Sequence, residues 1–170
     1  MQLRRSLALV SGTLLLTASL ASCGFDPATD RVNTITPGTS DRDGAVDVLN
    51  AVIVSADEGS GVLVTTLVNN DNEQEASLDS VAADDADAVQ VGEFSTISIE
   101  PNGMVNLAAE DEEGIPVEGE LAAGDVVPLT LQLSGGQVVQ LDVPVVWNCE
   151  EFAGIDGEGG DCEVAEPEEH

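Results

Sequence analysis

The sequence predicts an all-β protein, one antiparallel β-sandwich carried behind an export signal. Apolar residues alternate with a period of two along several short stretches. Turn-rich residues separate those stretches at short intervals. The mature chain has no convincing long helical pattern, which leaves sheet packed on sheet as the architecture.

The chain has 170 residues. Residues 1–22 read as a lipoprotein signal peptide. Arg4 and Arg5 form its positive start, and Ser6 to Leu20 is an apolar run rich in Leu and Ala. That run is short for a spanning helix, which needs about 20 apolar residues. It ends in Leu20-Ala21-Ser22-Cys23, a small-residue approach to a cysteine that resembles the bacterial lipobox. Cys23 is therefore the expected lipidation site and mature N-terminus. No second hydrophobic segment follows, so the expected location is the cell membrane, lipid-anchored, on the extracytoplasmic face.

Residues 23–43 hold Pro27, Pro37, Gly38 and many small polar residues, and read as anchor and flexible tether. The domain is expected over 44–147. Val46, Val48, Val52 and Val54 fall on one face of a first strand. Val62, Val64 and Val68 do the same in a second, with Leu63 and Leu67 opposite and a turn at Asp57 to Gly61 between the two strands. Leu78 to Val89, rich in Ala and Asp, reads as a solvated loop with room for a helical turn. Short strands are expected at Ala88 to Val91, Thr96 to Ile99 and Met104 to Leu107.

The clearest pair comes last. Val127, Leu129, Leu131 and Leu133 alternate with more polar neighbours, as do Val139, Leu141, Val143, Val145 and Trp147. Ser134-Gly135-Gly136 joins them as a tight hairpin. Pro144 cannot donate to a ladder, so its strand is expected at an edge or beside a bulge. Residues 148–170 read as an acidic Gly- and Glu-rich tail, pinned by a disulfide loop.

Charge excludes several functions. All 33 acidic residues lie after position 22, against Arg31 and Arg42 alone, and there is no Lys. Such a surface repels nucleic acid, a polyanion like itself. It reflects either an acidic exported proteome from a salty habitat or a diffuse cation sink. Three Phe, one Trp and no Tyr leave the core to aliphatic side chains.

Cysteine usage divides in two. Beyond Cys23 stand Cys149 and Cys162, an even pair in an exported protein. A disulfide is expected, contributing about 3 kcal/mol for a loop of this length. The other reading is a two-thiolate metal site, which offers few ligands for structural zinc.

Residues 52–146 resemble the periplasmic copper chaperone domain of the PCu(A)C type, nearest to its actinobacterial lipoprotein branch. Ile97-Ser98-Ile99-Glu100-Pro101-Asn102-Gly103-Met104-Val105-Asn106-Leu107 is similar to that family's strand, Pro-x-Gly-Gly turn and strand. Leu121-Ala122-Ala123-Gly124-Asp125-Val126-Val127-Pro128-Leu129-Thr130-Leu131 resembles its Leu-x-x-Gly-Asp-x-Val-Pro-Leu-Thr-Leu segment. Gly136 through Val146 resembles its final hairpin strand, and Leu67-Val68-Asn69-Asn70-Asp71 its strand ending in Asn and a polar turn. The resemblance implies a cupredoxin-like sandwich. It also implies Cu(I) ligation by His and Met, soft donors that favour monovalent copper. Those ligands are missing here. The mature chain has one Met, Met104, and one His, the terminal His170. The ligand-bearing loop is absent between Val91 and Ser95, and Asp111-Glu112-Glu113 stands where the later His-x-Met would fall.

Other patterns have simpler readings. Asp41 to Asp47 has the alternating acids and Gly of a calcium loop without its full ligand set, so it reads as a turn. Gly157 to Asp161 is one unrepeated copy of a glycine-rich calcium pattern. Glu110 to Glu113 reads as a solvated loop, with loose divalent-cation binding as the chemistry it would allow. A lone terminal His leaves no Ser/His or Cys/His pair, and paired carboxylates for hydrolysis have no aromatic platform beside them. No catalytic, cofactor-binding or metal-ligating residue is assigned. The expected function is a non-enzymatic envelope lipoprotein, a degenerate relative of copper chaperones that binds an envelope protein or component. The second reading is a lipoprotein that handles copper or another cation.

Overall fold

The computed structural model describes residues 37–109 and 112–157; Cys23, Cys162 and His170 lie outside them. Ten strands follow in order: β1 (Thr39–Asp41), β2 (Val46–Ser55), β3 (Ser60–Asn69), β4 (Ala76–Ala83), β5 (Val89–Val91), β6 (Ile97–Ile99), β7 (Met104–Asn106), β8 (Ile115–Gly119), β9 (Val126–Leu133) and β10 (Val138–Trp147). Among the described residues there is no α-helix. The hydrogen-bonded order is β5-β8-β3-β2-β10-β9-β4-β6, with β1 added to β2 and β7 to β3. One curled sheet thus folds on itself around an aliphatic core that includes Ile53, Leu63, Leu67, Leu78, Ile99, Ile115, Leu129 and Leu131, all essentially solvent-free.

The hairpin of β9 and β10 forms as the alternation requires. Leu131 faces Val139, Leu129 faces Leu141 and Val127 faces Val143, and all six side chains are buried. Gly135 and Gly136 take φ of 74° and 81° in the connecting turn, the left-handed region where a side chain is disfavoured.

Pro144 is not at a sheet edge. β10 is central, and Pro144 marks the point where it changes partner. Val138 to Pro144 pairs antiparallel with β9, and Val145 to Trp147 pairs parallel with Ile53 to Ser55 of β2. The residue that cannot donate sits where one ladder stops and the other starts, so little pairing is forfeited. Among the described residues this is the one parallel pairing in an otherwise antiparallel arrangement.

The first strand departs from its expected face. The register of β2 against β3 shifts between Leu49 and Val52, where Asn50 takes φ of 52°. Three steps along β2 match two along β3, so one residue is extra and the side-chain parity reverses. Val46 and Val48 share a face with Leu67, whereas Val52 and Val54 lie opposite Val64 and Val62 on the other face. Ile53 takes the place beside Leu63. Both faces are buried at this point.

Leu78 to Val89 is not chiefly a loop. Its first part belongs to β4, which lies between β9 and β6. A register shift between Leu78 and Ser80 brings Leu78 opposite Leu133 and Val81 opposite Leu131. Inward residues three apart break the period of two, which hid the strand. β8 was also unexpected; it pairs Ile115 with Leu63 and Val117 with Gly61.

Paired and packed residues are also found on either side of 44–147. β1 falls within the stretch read as tether and pairs Thr39 with Ala51 and Asp41 with Val48. After β10, Asn148 is fully buried, and Phe152 and Ile155 pack against the core.

Candidate functional site

Two connections that the resemblance aligns with ligand-bearing loops meet at one cavity of about 960 Å³. One is the β5–β6 connection, which supplies Glu93, Phe94, Ser95 and Thr96. The other is the end of the β7–β8 loop, which supplies Glu112, Glu113 and Gly114. Val62, Ile97, Val105, Pro116 and Ile155 complete an apolar part of the wall. Close backbone approach holds the two connections in place. The Gly92 N–H donates to the Pro116 carbonyl at 2.8 Å, and Gly114 lies so near Val62 and Val64 that a Cβ there would overlap the Val62 side chain.

The lining is carboxylate, hydroxyl and hydrocarbon. No His, Met or Cys is among the described residues that line the cavity. Met104 stands elsewhere, 70% exposed on β7. Glu112 and Glu113 are at the cavity as the sequence order suggests, both exposed. Glu110 and Asp111 lie outside the described residues. Among the described residues, no three His, Cys, Asp or Glu side chains converge as a metal site would require.

The remaining sequence candidates have local roles. Asp41 accepts the Asp43 N–H at 3.3 Å, which closes the turn expected there. Asp47 accepts from the Asn70 side chain at 2.8 Å. Cys149 is disulfide-bonded, while Cys162 and the Gly-rich stretch after Gly157 fall outside the described residues.

Two buried amides, Asn69 in a segment quoted for the resemblance and Asn148, which the sequence did not single out, organise the ends of the sandwich. Asn69, 1% exposed, donates through Nδ2 to the carbonyls of Gln74, Ile99 and Glu100 and accepts the Asp71 N–H at 3.0 Å. It ties the β3–β4 turn to the Pro101–Gly103 turn, whose Gly103 carbonyl in turn accepts the Asn69 N–H at 3.0 Å. Asn148 does the same at the other junction. Its Oδ1 accepts from the N–H groups of Gly154 and Ile155, and its Nδ2 donates to the Asp156 carbonyl. For Asn148 the signal is an Asn that follows a strand's last residue, a pattern common in turns; for Asn69 the resemblance adds a strand ending in Asn and a polar turn.

No family model and no curated protein matches the sequence. Solved structures do match in shape. The copper-bound PCuAC domain from PmoF2 superposes with a TM-score of 0.50 at 16% identity, over 64% of this chain and 98% of that one. The apo PmoF2 PCuAC domain gives 0.51 at 16% identity, over 66% and 98%. The apo PCuAC domain from PmoF1 gives 0.51 at 13% identity, over 63% and 98%. Identities this low speak to backbone arrangement. An all-β chain whose curled sheet matches nearly the whole of each of these domains has a PCuAC-type, cupredoxin-like fold.

Proposed function

We propose that this protein is a non-enzymatic module of the cell envelope, lipid-anchored through Cys23, that binds an envelope protein or component rather than copper. The observation that carries the reading is the cavity lining. Two connections that the resemblance aligns with ligand-bearing loops bring Glu93, Ser95, Glu112 and Glu113 to one cavity. Oxygen donors suit hard cations and do not select Cu(I). The apolar remainder, with Phe94, Val62 and Ile155, suits contact with another surface.

The test is a competition titration of the oxidised, mature protein with a Cu(I) chelator. No copper should be withheld from the chelator. One equivalent retained by the oxidised protein would overturn the reading. A second reading, metal handling, is supported by the likeness to a PCuAC domain that is itself copper-bound. It gains if that equivalent is retained. Loose, salt-sensitive Ca²⁺ binding favours neither, because many exposed carboxylates attract divalent ions without a built site.

A further inference from the structure

We propose that the stretch Glu93–Ser98 is an open strand edge that takes up an extended basic segment of a partner protein, its side chains alternating between lysine and an apolar residue. The inference rests on the reading of this protein as an envelope binding module and names the place and chemistry of that contact.

The strand order begins at β5 and ends at β6, so the chain between them crosses the seam of the curled sheet. Its last backbone bond to β8 runs from the Gly92 N–H to the Pro116 carbonyl. Beyond it, Glu93 to Thr96 run on without turn or bend and take part in no backbone hydrogen bond among the described residues. β6 then pairs with β4 alone. The Ser77 N–H of β4 donates to Ser134 Oγ at 2.9 Å, on the β9 side and away from β6. Ladder bonds of an antiparallel pair fall on alternate residues. Those of β6 therefore fall on Ile97 and Ile99, and the N–H and carbonyl of Ser98 point outward. An edge with such groups exposed can accept one more strand.

Two recesses meet at this edge and share Glu93, Phe94 and Ser95. One is the cavity of about 960 Å³, to which Val62, Val105 and Pro116 give an apolar wall. The other, of about 600 Å³, is bordered by Asp79, Ser80 and Glu113. Successive side chains of an added strand point to opposite sides, so apolar residues enter the first recess and lysines the second.

Charge selects the partner. Asp79, Glu93 and Glu113 are exposed, and after position 22 only Arg31 and Arg42 stand against 33 acidic residues. A second copy of this chain would bring the same carboxylates and is repelled, as charged edges generally repel like copies. A basic segment is complementary to them.

The probe is an acetylated, amidated peptide of six residues alternating lysine and valine, titrated into the mature protein at physiological salt and followed by calorimetry. It should bind saturably, one to one, and shift the amide NMR signals of Thr96 and Ser98. A copy N-methylated at every residue keeps the charge but cannot donate main-chain bonds; it should bind about tenfold more weakly or not at all. A copy with glutamine in place of lysine should lose a similar factor. Ser98→Pro removes the outward donor and leaves the Ile97 and Ile99 bonds to β4, so it should weaken binding about tenfold. Thr96→Pro, ahead of the ladder, repeats the test if Ser98→Pro fails to fold. Absence of binding overturns the proposal. So does equal binding of the N-methylated copy, which would reduce the attraction to diffuse charge. Equal binding of the glutamine copy refutes the basic partner, and amide shifts confined to other residues refute the edge. No arm contains copper. A negative result here removes this edge as the contact and leaves the Cu(I) competition to judge the wider reading, while copper retained in that competition sinks the wider reading whatever the peptide does.

Discussion

The side-chain amide of Gln137 pairs with the backbone of Val46 as a neighbouring strand would. Its Oε1 accepts the Val46 N–H at 3.1 Å, and its Nε2 donates to the Val46 carbonyl at 2.8 Å. Ninety-one positions separate the two residues. The contact closes the start of β2 at the hairpin end of β9 and β10, where among the described residues no strand satisfies both groups.

Gln137→Ala should therefore destabilise the domain by about 1–3 kcal/mol, the cost of part-buried polar groups left unpaired. Gln137→Glu should recover little, since a carboxylate cannot donate to the Val46 carbonyl. Urea unfolding with a lower midpoint and unchanged slope would fit this account. A midpoint equal to the parent's would show that water replaces the amide without loss.

Gly114 is expected to resist substitution because of one neighbour. Gly114→Ala drives a methyl group into Val62 and should cost about 1–3 kcal/mol, as overpacking does. Adding Val62→Ala should recover part of that loss, although Val62→Ala alone removes apolar contact. A double-mutant cycle measures the coupling. Strict additivity would place the origin of the glycine requirement elsewhere.

Asp71 bears on the acid limit of stability. Its carboxylate accepts the N–H groups of Glu73 and Gln74 at 2.8 and 2.9 Å. These bonds favour the charged form and hold the group below its ordinary pKa of 3.8, against a small opposing desolvation. The unfolded chain thus takes up the proton first as pH falls. The stabilisation is complete above the unfolded value and disappears as pH falls through the folded one. Carbon-detected NMR titration should place the Asp71 midpoint below 3.8, and Asp71→Asn should remove its share of the acid-side slope. A midpoint at or above that value would sink the assignment.

Anchoring depends on one thiol. Cys23→Ser should abolish lipid attachment and leave the chain unprocessed or released from the membrane. Metabolic labelling with a fatty-acid analogue reads this directly. Label incorporated equally by the serine variant would refute the lipobox reading.

Much of the sandwich was legible because period-two alternation is a local property. Val127 to Leu133 and Val139 to Val145 place a buried residue at every second position, and Ser134-Gly135-Gly136 supplies the only turn chemistry that joins them closely. No distant contact is needed to read that hairpin. The family pattern in Leu121 to Leu131 pointed the same way, and the shape comparison agrees with it. Residue type alone also shows that Glu112 and Glu113, which the resemblance aligns with a ligand position, are not soft donors.

Tertiary structure decided what depends on pairing between distant segments. The extra residue at Asn50 reverses the parity of β2, and a bulge is visible only against the strand it opposes. The shift between Leu78 and Ser80 likewise hid β4 until its partner β9 defined which side chains point inward. Pro144 read as an edge signal, but an edge is a statement about neighbours, and β10 meets β9 before this residue and β2 after it. The cavity follows the same logic. Glu93 and Glu112 come together because β5 and β8 are paired, and Ile155 joins them through the hydrogen bonds of Asn148. Alternation states which residues seek the interior; long-range hydrogen bonding alone states which of them meet.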